Sequence, residues 1–109
     1  MKRCYNAGKV GTLSKEEYTK NFDIADEAII KLGMKPINPL RKINIPYWLH
    51  MAVDIALLIS CSHARFQHNS IHSRGAKIEY RVAKLFKKTI ILDKGKMNIY
   101  KYKKLMDNK

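Results

Sequence analysis

Glu79 stands six residues after Ser73, with Gly75 and Ala76 between them and a helical pattern behind it. Ile78, Val82, Leu85 and Phe86 recur at helical spacing, so a helix is expected to open here. Ser73 suits its N-cap, and Gly75 and Ala76 leave backbone N–H groups open to a ligand. Glu79 then lies in the first helical turns, near the strand ends where open α/β sheets bind their ligands. An acid in that place can also serve only to complement the helix dipole. The segment Gly8-Lys9-Val10-Gly11 follows a strand-like Arg3–Ala7, and open amides plus a lysine suit an anion, although a tight turn is the simpler account. It is neither a dinucleotide fingerprint nor a P-loop. Asp54 sits in Tyr47–Ile59, a run apolar on nearly every side. A helix of that kind is expected to be buried, and a buried acid needs a partner or a shifted pKa. His50, four residues earlier on the same face, is the candidate partner.

The elements that must position these residues alternate. Arg3–Ala7 reads as a first strand. Ser14-Lys15-Glu16-Glu17 is a capping box, followed by a stripe of Tyr18, Phe22, Ala25, Ile29 and Leu32, with Gly33 as the helix stop. Met34 to Asn38 is a second short strand ended by Pro39. Leu40 to Pro46 is a basic loop, with Pro46 in the first turn of the apolar helix. Ala64–Gln67 and Thr89–Leu92 read as further strands, His68 to His72 as a solvent-facing loop, and Met97–Tyr100 as a candidate fifth strand. Strand–helix alternation predicts a parallel sheet of four to five strands, with right-handed crossovers and helices on both faces. The expected organisation is one α/β domain over residues 1–100 and a basic C-terminal tail over 101–109 that frays.

In order and spacing, Tyr5, Gly8, Asp54, Ser73, Gly75 and Glu79 resemble the nucleoside 2-deoxyribosyltransferases and their relatives, the 2'-deoxynucleoside 5'-phosphate N-hydrolases. That pattern is a first strand carrying Tyr and a Gly turn, a helix Asp, then Ser-x-Gly-x-x-x-Glu opening a later helix. Ala7-Gly8-Lys9-Val10, Pro36-Ile37-Asn38-Pro39 and Ser73-x-Gly75-Ala76-x-x-Glu79 are most similar to a small, uncharacterised phage-associated branch, a domain of unknown function. The likeness spans residues 3 to 92. It departs at Ser62, where an Asp is common, and at His68-Asn69-Ser70-Ile71-His72, where the approach to Ser73 is usually aromatic.

The resemblance implies a flavodoxin-like or Rossmann-like domain without a cofactor, acting on the N-glycosidic bond of a nucleoside or nucleoside 5'-monophosphate. It implies that Glu79 attacks the anomeric carbon to form a covalent glycosyl-enzyme, and that Asp54 protonates the departing base or orients the sugar. Gly8, Lys9, Ser73 and Gly75 would hold a 5'-phosphate, with Val10 beside them and Tyr5 lining the sugar. Both carboxyls should then face one cleft, about 5–5.5 Å apart if they work as a retaining pair. Water as acceptor makes a hydrolase and a second base a transferase; the sequence leaves both open. The alternative is a non-catalytic nucleotide- or nucleic-acid-binding accessory protein on the same fold.

A formal charge of +13 concerns partners rather than fold. Lys77, Arg81, Lys84 and Lys88 fall along one helix face, which is either solvated or attracts polyanions. Nonspecific nucleic-acid contact at low salt is expected, with no signature of specific recognition. A 109-residue domain is marginal alone, so a homo-oligomer is expected. Cys4 and Cys61 read as buried thiols of a reducing, cytoplasmic compartment. No apolar run reaches the length of a membrane span, and Asn6, Gly8 and Lys9 interrupt any signal h-region. His63, His68 and His72 do not form a compact ligand set, so no metal is expected; His68 or His72 could contact a phosphate or base.

Overall fold

Cys4, Tyr5, Asn6 and Ala7 are all buried, which fixes Arg3–Ala7 (β1) as a strand with both faces covered. The computed structural model describes residues 1–40 and 45–108. Within them lie helix α1 (Lys15–Lys31), strand β2 (Lys35–Ile37), helix α2 (Tyr47–Ile59), strand β3 (His63–Phe66), a 3₁₀ turn (His68–His72), helix α3 (Arg74–Leu85), strand β4 (Thr89–Leu92) and helix α4 (Ile99–Asp107). The strands form one all-parallel sheet in the order β2-β1-β3-β4, a flavodoxin-like α/β arrangement. Tyr5 pairs with Ile37 on one side and Ala64 on the other, so β1 is central.

Right-handed crossovers put α1, which steps from β1 to β2, on the opposite face from α2 and α3, which step the other way. The side chains agree. Asn6 donates to the Phe22 carbonyl of α1 at 3.0 Å, whereas its neighbour Tyr5 points to Glu79 of α3. Phe22, Ala25 and Ile29 bury the α1 stripe; Leu32 caps the helix and stays exposed. Ser14 Oγ accepts from the Glu17 amide, and Gly33 holds φ +81° just past the C-cap, a conformation that favours glycine.

Three expectations are corrected. The segment Met97–Tyr100 is not a fifth strand: Asn98 caps α4, accepting from the Tyr100 amide, so the sheet stops at four strands. Residues 101–107 are not a fraying tail, because Tyr102 and Met106, four residues apart, enter the main core with Tyr5, Phe66 and Tyr80. The single domain therefore runs through α4. Helix α2 is not enclosed: only Leu58 is fully buried, while Tyr47 and Trp48 are 65% and 69% exposed. It packs chiefly against α3, and among the described residues Trp48, Ala52, Val53 and Ala56 on its other side are exposed. The basic loop expected over Leu40 to Pro46 has residues 41–44 outside the described ones.

Candidate functional site

Parallel strands send every following loop to one edge of the sheet, and there the chemistry-bearing residues collect. Ser73 caps α3 as expected, its Oγ accepting from the Ala76 amide at 3.1 Å. Glu79 follows in the second turn, on the face that α3 turns to the sheet, and is 6% exposed. Tyr5, fully buried in β1, donates its hydroxyl to Glu79 Oε2. Burial pushes the Glu79 carboxyl up to about 8; the Tyr5 hydrogen bond works against that shift and the charge of Asp54 adds to it. Asp54 and Glu79 are thus electrostatic neighbours on two helices that pack together. Tyr5 is a partner of the carboxyl in this arrangement.

Asp54 also lines a cleft of about 620 Å³, a size that suits a small organic ligand. One wall is α2, through Tyr47, His50, Met51 and Asp54; the other is the loop after β1 and the start of α1, through Val10, Gly11, Lys15 and Tyr18. Asn38, Pro39 and Leu40 close the end after β2, and Thr19 and Asp23 complete the α1 side. Glu79 does not line this cleft. Gly75 lies close to its α2 wall: a Cβ there would stand 3.4 Å from Tyr47 Oη and 3.5 Å from Met51 Sδ.

Of the anion residues, Val10 lines the cleft, but Gly8 and Lys9 face the turn after β3. A Cβ on Gly8 would collide with the Gln67 carboxamide, so glycine is needed here for a close side-chain approach. The Lys9 amide is not open to a ligand, since it donates to Asn69 Oδ1 at 3.1 Å. His68 stands 3.7 Å from Asp93 rather than in the cleft. Among the described residues no three His, Cys, Asp or Glu side chains come together as a metal set.

A polar network absent from the sequence expectations reaches the cleft through Asn38. Gln67 Nε2 donates to Asn6 Oδ1, Asn6 Nδ2 donates to Asp26 Oδ1, and Asn38 Nδ2 donates to Asp26 Oδ2, at 2.9, 2.8 and 3.1 Å. Asn38 Oδ1 in turn accepts from the Leu40 amide, shaping the loop that closes the cleft. The signal available in sequence was Asn6, a carboxamide inside a strand whose neighbours are buried.

Fold and site define an α/β domain with a cleft at the carboxyl ends of its strands and a buried carboxyl, Glu79, on a neighbouring helix. The family model described as a domain of unknown function, DUF4406, matches residues 2–92, and the chain belongs to that family. No curated protein matches it in sequence.

Proposed function

We propose that the chain binds a nucleoside or nucleoside 5'-monophosphate in the cleft and cleaves its N-glycosidic bond, as a hydrolase or a deoxyribosyltransferase. The observation that carries this reading is the Tyr5–Glu79–Asp54 cluster beside a cleft of nucleoside size. Glu79 attacks the anomeric carbon in its ionised form, which the Tyr5 hydroxyl stabilises. Asp54, already on the cleft wall, protonates the base or orients the sugar. The direct test incubates the protein with a panel of nucleosides and 5'-monophosphates and follows free base; no release from any of them rejects the enzyme. The near-complete burial of Glu79 and its absence from the wall favour a second reading, a nucleotide binder without turnover. Binding without base release selects it.

A 5'-phosphate belongs at the loop after β1 and the first turn of α1. Lys15 is the lysine of that wall, with Lys9 in the loop after β1 and held at its amide by Asn69. Lys15→Ala should weaken a 5'-monophosphate about tenfold and the matching nucleoside hardly at all, because one charge-assisted contact is lost. Lys9→Ala should do less. Calorimetric titration of both ligands checks this, and equal weakening of nucleoside and nucleotide rejects the assignment.

Homo-oligomer formation belongs to the same reading. The outer side of α2 presents Trp48, Ala52, Val53 and Ala56 to solvent without a charge, an exposed apolar stripe of the kind that marks an interface. Trp48→Glu should convert an assembled species to monomer in sedimentation. A wild-type chain already monomeric at high concentration contradicts it. No helix among the described residues is long and apolar enough to cross a membrane. Two buried free thiols, Cys4 and Cys61, support placement in the reducing cytoplasm.

A further inference from the structure

The positive charge of this chain is not spread evenly. Helix α1 carries five acids against three lysines, whereas residues 74–108 carry eleven lysines and arginines against three acids. Each of those three acids is committed: Glu79 is buried, Asp93 lies 3.6 Å from Arg65, and Asp107 pairs with Lys84 at 2.9 Å. The Lys84–Asp107 pair joins the C-terminal ends of α3 and α4, two helices in contact. Their outer sides expose Arg81, Lys101 and Lys104, which have no ion pair among the described residues. Tyr100, 79% exposed, stands at the head of α4, and Phe86, half exposed, stands at the foot of α3. The family match covers residues 2–92, and α4 lies outside it.

We propose that this α3–α4 face docks single-stranded nucleic acid, independently of any reaction in the cleft. Lys77, Arg81 and Lys84 follow i, i+4, i+7 spacing, which sets cations about 5–6 Å apart along one helix. Such a row follows a phosphate backbone and gains from released counterions. Exposed rings beside it offer stacking platforms that any base can use, which a duplex with its bases already stacked does not need. An anionic membrane fits less well. A surface-bound helix must insert a continuous apolar face, and these two turn theirs inward, with Ala76, Tyr80 and Ala83 of α3 and Tyr102 and Met106 of α4 all buried.

The test is fluorescence anisotropy of a labelled, mixed-sequence single-stranded oligonucleotide across a salt series. Arg81→Glu/Lys101→Glu/Lys104→Glu should weaken binding at least about tenfold, and its salt slope should fall by about 2, roughly 0.7 for each lost phosphate contact. The control, Lys20→Glu/Lys31→Glu/Lys35→Glu, makes the same charge change at exposed positions on the other side and should weaken it less than about threefold. Tyr100→Ala changes no charge and removes an exposed ring, so it should weaken binding about fivefold or more at an unchanged slope. Equal losses in the two triple variants would reduce the effect to net charge and overturn the proposal. So would an unaltered affinity in Tyr100→Ala, or a preference for phosphatidylserine vesicles over the oligonucleotide.

Discussion

A Tyr102→Ala chain is expected to lose roughly 3–5 kcal/mol of stability, the cost of emptying a large buried aromatic site. That is a large part of the roughly 5–15 kcal/mol that holds a domain of this kind together. Tyr102 is fully buried, packs in the cluster that holds Tyr5 and Phe66, and donates its hydroxyl to the Gln67 carbonyl at 2.7 Å. Burial pushes its phenol up to about 12, so the donor stays protonated across the ordinary pH range. Tyr102→Phe removes only the hydroxyl, with its hydrogen bonds to the Gln67 and Phe66 carbonyls, and should cost about 0.5–1.5 kcal/mol. Removing residues 98–109 should do more than either, since Met106 leaves with Tyr102. Urea denaturation followed by circular dichroism measures all three. A truncated chain with an unchanged midpoint would show that α4 is dispensable to the core.

That helix also shows where sequence reasoning stopped. Lys101, Lys103 and Lys104 dominate the local composition, and a polar run at a terminus reads as frayed. Ile99, Tyr102, Leu105 and Met106 do recur at helical spacing, but that apolar stripe was outweighed by the lysines between its members. Tertiary burial decided the outcome, as it does for most short helices. By contrast β1, α1 and β4 were legible because period and punctuation agreed: Ser14 opened α1, Gly33 closed it, and Thr89–Leu92 was a β-branched run after a turn. Helix α2 failed in the opposite sense. Its composition spoke of burial, but composition cannot distinguish a helix buried within one chain from one left open to a neighbour.

For the site, residue types were legible and partners were not. Glu79, Asp54 and Tyr5 could be singled out as chemistry-bearing; Tyr5 and Glu79 meet in a hydrogen bond, while Asp54 lines the cleft and Glu79 does not. That Tyr5 would reach Glu79, 74 positions away, depends on β1 and α3 meeting across the sheet, a contact no local pattern encodes. Gly8 illustrates the reverse error. A glycine after a first strand suggests an anion, yet here its missing side chain makes room for Gln67, which begins the network to Asn38. Lys15 was seen only as part of a capping box, although the turn that places the box at the cleft also places the lysine there.

Glu79→Gln should stop base release while making the protein more stable in alkali. Burial pushes the folded-state Glu79 pKa up to about 8, from an ordinary carboxyl near 4.5. Between those values the native state holds a proton that the unfolded chain has released, so stability must fall as pH rises. The contribution is complete below about 4.5 and lost above about 8, at about 1.4 kcal/mol per pKa unit as an upper limit. Glutamine still accepts from Tyr5 but never ionises, so the variant should lack this slope and exceed wild type most clearly above pH 8. The chemistry runs the other way. A nucleophile must be ionised, so kcat/KM of the wild type should climb about tenfold per pH unit towards a plateau above about 8. Tyr5→Phe should move that limb to higher pH, because the hydrogen bond that favours the carboxylate is gone. A rate that instead falls through this window makes Glu79 the proton donor and hands the attack to Asp54. Thermal melts from pH 4 to 9, set beside rate profiles over the same range, separate these outcomes. Base release that survives Glu79→Gln unchanged removes the residue from the reaction, whereas a missing stability slope would mean that its carboxyl is not buried as described.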